Sequence, residues 1–156
     1  MRIQAIGIIH MGDTKRMKSL TDFEKIIKKD KIDSVLVQKN DTVLFEYYRN
    51  KKMKEKQHKI YSVTKSVLSA LIGIAIDKGF IENVNTPIIH YFPEFNKDKE
   101  HERITIKHLL TMTSGLHWQG NNGMIPSKNW VNVVLQQDIG NPPGKEMVYS
   151  CGSSQL

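Results

Sequence analysis

The chain has 156 residues, of which 39% are hydrophobic and 25% charged, and a formal net charge of +7. Those values fit one globular domain with a single core. The excess lysines are spread over loops and helix faces, and the densest basic stretch, Arg49 to Lys59, holds no Phe, Tyr or Trp to stack on bases, so the charge argues for a solvated surface and against nucleic-acid binding.

Residues 1–16 carry one brief apolar patch, too short for a signal peptide and without a small-residue cleavage site. They read as an extension ahead of a domain over 17–156, with Met11 and Met17 as alternative starts and a cytoplasmic location as the default. Thr21 stands three residues before Glu24, a capping-box pattern, and Phe23, Ile26 and Ile27 alternate with charge, which predicts an amphipathic surface helix. Two β-rich runs, Val35 to Val37 and Val43 to Tyr48, flank Asn40-Asp41 and predict a hairpin. A basic loop over 49–59 follows. A buried helix is then expected from about Ser62, with Gly79 as its stop.

Further on, Thr86, Pro87 and Pro93 predict a short helix with its cap, first residue and breaker. "RITIKHLLTMTSGLHW" reads as an extended entry, one or two helical turns and a stop at Ser114-Gly115. A Gly- and Asn-rich loop leads to a helix capped by Ser127, and the segment from Ile139 onward is turn and extended chain. Strands mixed with amphipathic helices give an α/β or α+β layered domain. Cys151 is the only cysteine, which rules out an intrachain disulfide, and the longest mostly apolar run, Val67 to Ile76, is short of the roughly 20 residues that cross a bilayer.

One residue breaks a local rule. A helix N-terminus carries partial positive charge and disfavours cations by about 0.3–1 kcal/mol, yet Lys65 occupies the first turn of the helix that reads as buried. Dipole and burial both oppose the charged ammonium. Ser62, three residues earlier, shares that helix face, so a hydroxyl and an amine able to take its proton stand together. Backbone N–H groups at the helix start could hold an oxyanion. Against this, Ser-x-x-Lys arises by chance about once in a few hundred residues, and serine at a helix start is ordinary capping. The residues alone leave catalysis and capping both open.

Three stretches in order carry a resemblance. "YSVTKSVLSALIGIAIDKG" resembles the active-site helix of the penicillin-recognising serine hydrolases, with its Ser-x-x-Lys motif. "ITIKHLLTMTSGL" resembles a segment of the class C β-lactamase-like branch, which includes D-amino-acid peptidases and esterases, and "PPGKEMVYSCGSSQL" resembles the segment bearing that branch's Tyr-x-Asn motif. The resemblance runs from about Lys31 to Leu156.

It implies a β-lactamase/transpeptidase-like fold, a sheet flanked by helices plus a helical region. It also implies an acyl-enzyme on Ser62, with Lys65 sharing the serine's proton and Tyr149 as general base and acid. No metal or organic cofactor is implied, and the substrates would be small esters, amides or D-amino-acid peptides. The family's Asn falls on Cys151, a substrate-binding position where a thiol, a weak donor, cannot replace a carboxamide. That argues for altered substrate choice and against β-lactam hydrolysis. The third motif, Lys-Thr-Gly or His-x-Gly on a later strand, does not follow Tyr149. The chain is therefore expected to be the N-terminal part of such an enzyme, and a truncated, inactive member acting as a binding or structural protein is the alternative.

Other candidates are weaker. His108 has no partner at metal spacing and reads as a packing residue. No His-Glu-x-x-His motif, Gly-x-Ser-x-Gly elbow or phosphate-loop glycine pattern occurs. Cys151 as a nucleophile would need a nearby base, which Lys65 or Tyr149 could supply. Trp118 and Trp130 read as rim or core aromatics.

Overall fold

A computed structural model describes the backbone of residues 20–156 and the side chains from Phe23 onward. The expected extension over 1–16 and the Thr21 capping box lie outside the described residues. The chain divides into two compact units, the first ending at Thr64 and the second spanning Lys65–Leu156.

The first unit opens with helix α1, Leu20–Lys29, whose Ile27 is buried while Lys28 pairs with Glu24 one turn earlier at 2.6 Å. Strands β1, Ser34–Lys39, and β2, Thr42–Tyr48, pair antiparallel in the register Ser34↔Tyr48 to Lys39↔Thr42, with an irregularity at Val37/Gln38. Asn40 takes the left-handed φ of 52° in the two-residue loop, a conformation asparagine tolerates, so the hairpin forms where the sequence predicts it. The Phe23 and Phe45 rings meet at 5.5 Å. Asp33 is buried, with Arg49 Nη2 at 2.6 Å from its Oδ1 in an ion pair.

The expected basic loop is in part a helix, α2, Lys51–Glu55. Asn50 caps it by accepting from the Met53 N–H at 3.1 Å, and Met53 is its one buried side chain. The charge run hid both signals. Lysines project to solvent whether the backbone is helical or not.

Helix α3, Val63–Asp77, starts where expected and ends in a glycine stop. Gly79 has a φ of 74°, its N–H reaches the Ile76 carbonyl, and the Phe80 N–H reaches that of Ala75, the two bonds of a Schellman motif. The expectation that this helix is buried fails: none of its residues is buried, and Val67, Leu71 and Ile74 are each half-exposed. Only one side, at Ile72, packs against the core of the second unit. Apolar composition all round signals burial, but burial needs partners on every side, and the described residues supply them on one.

That core gathers Ile88, Phe95, Ile104, Leu109, Val134 and Leu135. The single helix expected near Thr86 is two 3-10 turns, Ile88–His90 and Pro93–Phe95. Thr86 is not the cap. Its carbonyl accepts from the Ile106 N–H, and Ile88 N–H donates to Ile104, which ties the segment to a neighbouring one as a bridge. Pro93 starts a turn rather than ending one, as its fixed φ permits at a first helical position.

Helix α4, Lys99–Glu102, was not expected. Asp98 caps it through Glu100 N–H and His101 N–H, and also takes a hydrogen bond from His101 Nδ1 at 2.9 Å. His101 is fully inside, its ring edge-on to Phe95 with centroids 4.8 Å apart and its Nε2 3.3 Å from the Gln137 carbonyl. Helix α5, Ile106–Leu110, is capped by Thr105, and His108 returns the bond by accepting from the Thr105 N–H, a structural duty as expected. It stops before Ser114-Gly115, because Met112 already turns left-handed with φ 59°. Helix α6, Trp130–Leu135, is capped by Asn129 rather than Ser127, whose hydroxyl accepts from the Asn129 N–H one turn too early.

Two outcomes follow from this packing. Phe95→Ala removes a ring with no exposed surface and should destabilise the chain by about 3–5 kcal/mol in urea denaturation. The second concerns acid. The hydrogen bond from His101 holds the Asp98 carboxyl below its usual range, so its stabilising contribution is complete above the unfolded value near ~3.9 and is lost as pH falls through the lower folded one. Asp98→Asn keeps a capping oxygen but not the charge. Its melting temperature should lie below that of the parent chain at neutral pH, and the gap should close as the solution is acidified through that window.

Candidate active site

The segment over 112–117 is the support for the residues near 149. Its backbone accepts from Val148 N–H at Met112 (2.9 Å), from Gly144 N–H at Thr113 (2.8 Å) and from Gly140 N–H at Gly115 (2.8 Å), while the His117 N–H donates to Asp138 (2.8 Å). Leu116 and Ile139 form an isolated antiparallel bridge. Gly115, with φ 76°, is required here, since a Cβ on it would collide with the Asn141 carbonyl. The second and third stretches of the family resemblance are thus bound to each other by main-chain hydrogen bonds.

Beyond Val148 the chain delivers Tyr149 outward and buries Ser150, whose hydroxyl accepts from the Ser153 N–H at 3.1 Å. Gly152 is pressed against Trp118 so closely that a Cβ would stand 2.5 Å from the indole ring. A 3-10 turn, Gly152–Ser154, follows, and Ser153 Oγ lies 3.5 Å from Ser114 Oγ. Cys151 sits between, partly buried against the core.

Lys65, in the first turn of α3, meets this loop. Its Nζ donates to Cys151 Sγ at 3.6 Å and stands 5.1 Å from the centroid of the Tyr149 ring, over the ring face. Lys65, Tyr149 and Cys151, three of the four expected site residues, are therefore gathered in the second unit. Ser62 ends the turn that leads into α3, one residue before the helix begins, and is exposed. It stands three positions ahead of Lys65 in the chain and falls within the first unit. Among the described residues no group of three His, Cys, Asp or Glu side chains is placed to hold a metal ion, and no helix is long and apolar enough to cross a membrane.

The sequence reading missed the clamp of Trp118 on Gly152 and the support from Thr113 to Gly115. A signal for the first was available in the glycine directly after Cys151, where a close approach of another group explains why no side chain is present.

Comparison with known proteins agrees with this arrangement. The family described as Beta-lactamase matches residues 30–156. A crystal structure from Bacteroides dorei DSM 17855, of a protein assigned as a β-lactamase, superposes with a TM-score of 0.70 at 26% identity, over 89% of this chain and 44% of that one. The 6-aminohexanoate-dimer hydrolase of Paenarthrobacter ureafaciens is 35% identical over 75 residues, which are 48% of this chain and 19% of that protein. The chain thus spans less than half the length of either relative. With the family matched over most of its residues and the α/β arrangement shared with a solved member, the chain belongs to the β-lactamase family.

Proposed function

We propose that the chain is a serine acyl hydrolase in which Ser62 is acylated, Lys65 shares its proton and Tyr149 acts as general base and acid. Ser62 Oγ attacks the carbonyl carbon of a small ester, amide or D-amino-acid peptide. Its proton passes to the Lys65–Tyr149 pair, and the bond to the leaving group breaks as that proton is returned to it. Water then enters by the reverse sequence, is deprotonated by the same pair and releases the acid. No metal or organic cofactor takes part in this scheme. The observation that carries it is the meeting of Lys65 with Tyr149, brought together from positions far apart in the sequence at 5.1 Å. A relative that hydrolyses a 6-aminohexanoate dimer supports a small-molecule substrate. Cys151, at the position the resemblance gives to a carboxamide, supports esters or peptides over β-lactams.

A second reading has its own observation. Val67, Leu71 and Ile74 on the active-site helix are half-exposed, which favours an inactive member of the family that serves as a binding or structural protein. Intact mass after incubation with a fluorophosphonate, and separately with a penicillin, decides between them. The hydrolase reading expects one fluorophosphonate adduct per chain, absent in Ser62→Ala, and a weak or absent penicillin adduct. A chain that stays unmodified under both reagents belongs to the second reading.

A further inference from the structure

We infer that Cys151 acts on Lys65 rather than on the substrate: its thiol is the positioning group that holds the lysine amine over the Tyr149 ring. The catalytic consequence rests on the acyl-hydrolase reading, whereas the positioning itself does not.

A lysine side chain has four flexible carbons and carries about 2 kcal/mol of rotamer entropy, so an amine used at one point must be held there. Two contacts do so here, the bond to Cys151 Sγ at 3.6 Å and the approach to the face of Tyr149 at 5.1 Å. The two are not equal in rigidity. Tyr149 is 54% exposed, whereas Cys151 lies between two buried residues, Ser150 and Gly152, and the second of these abuts the Trp118 ring. The sulfur is thus attached to the better-fixed backbone. It is also partly withdrawn into the core, packed where it contacts apolar side chains and the lysine. A group that bound substrate directly would need to present itself to solvent, as Tyr149 does. Sulfur accepts weakly, so the hold is soft, but it is the fixed end of the arrangement.

The test reads the amine without reference to activity. Trace acetylation of the full chain, quantified by mass spectrometry across neutral to alkaline pH, gives the reactivity of Lys65 against two exposed lysines, Lys99 and Lys128. Cys151→Ala should raise Lys65 labelling several-fold relative to those controls, and Cys151→Asn, which restores an acceptor, should bring it back to the parent level or below. A general rise at all three lysines would report unfolding of the Ala variant. Cys151→Val, which fills the space without an acceptor, is then read by the same ratio. Lys65 labelling unchanged relative to the controls overturns the inference.

Steady-state ester hydrolysis is measured alongside. Loss of positioning should lower kcat by about 10- to 100-fold with KM nearly unchanged. A rise in KM at constant kcat would instead make Cys151 a substrate contact and overturn the inference. Should Lys65 labelling respond as expected while no hydrolysis depends on Ser62, the positioning role stands and the hydrolase reading falls.

Discussion

The arrangement near Lys65 depends on one constraint, the main-chain contact between the segment over 112–117 and the segment over 138–148. Four short hydrogen bonds fix it, the last of them at Val148, directly before Tyr149. Two residues adopt the left-handed conformation to make it possible, Met112 at φ 59° and Gly115 at φ 76°. For methionine this costs about 1–2 kcal/mol, which the surrounding bonds must offset. Glycine has no such cost, but the Asn141 carbonyl occupies the space any side chain would need. Helix α5 anchors the near end through its capping box, so the support runs from Thr105 to Tyr149 through main-chain bonds and one cap. A loop pinned in this way can present an exposed phenol at a defined place.

Helix α3 raises the opposite question, since its sequence is that of a core helix and its surface is not. Full burial of a Val, Leu or Ile side chain is worth about 1.5–3 kcal/mol. Val67, Leu71 and Ile74, each half-exposed, gain only a part of it. What covers them is not among the described residues. The solved relative from Bacteroides dorei is matched over 44% of its length, so more than half of that fold has no counterpart in the contacts described for α3. The helix nonetheless terminates in a complete Schellman motif, a local feature that needs no partner. Local signals therefore fix where α3 begins and ends, while its burial is a tertiary property.

The same division explains what could be read from the sequence. The hairpin was legible because Asn40 and the alternation around it are local, and the two ends of α3 were legible for the same reason. The trio of family stretches gave the family and the α/β fold, both of which the match over 30–156 bears out. Helices α2 and α4 were not legible, since each depends on a single Asn or Asp cap beside charged residues that look like loop. The choice of Asn129 over Ser127 as the cap of α6 turned on which hydroxyl or amide lay at the right distance, something two neighbouring polar residues leave open. The pairing of Lys65 with Cys151 joins positions 86 apart, and nothing in either neighbourhood announces it. Only the resemblance brought them near each other on paper, with the sulfur assigned to the substrate.

The chemical character of that pairing bears on how the site would work. A carboxamide offers both a strong acceptor and donors, so it can grip an amine and a substrate at once; a thiol offers one weak donor and a weak acceptor. Lys65 is instead held between sulfur and an aromatic face, and a cation–π contact at an exposed ring contributes about 0.5–1 kcal/mol. Neither contact is strong enough to bind the amine against a competing demand. For a proton carrier that is an advantage, because an amine locked in a charge-assisted bond to a carboxylate would resist giving up its proton. Catalytic hydrogen bonds are often long before substrate arrives and shorten in its presence, and the 3.6 Å approach of Lys65 to Cys151 has that character. The weak hold leaves the amine placed but available. The same softness makes the site unsuited to a substrate that relies on a rigid carboxamide for its own binding.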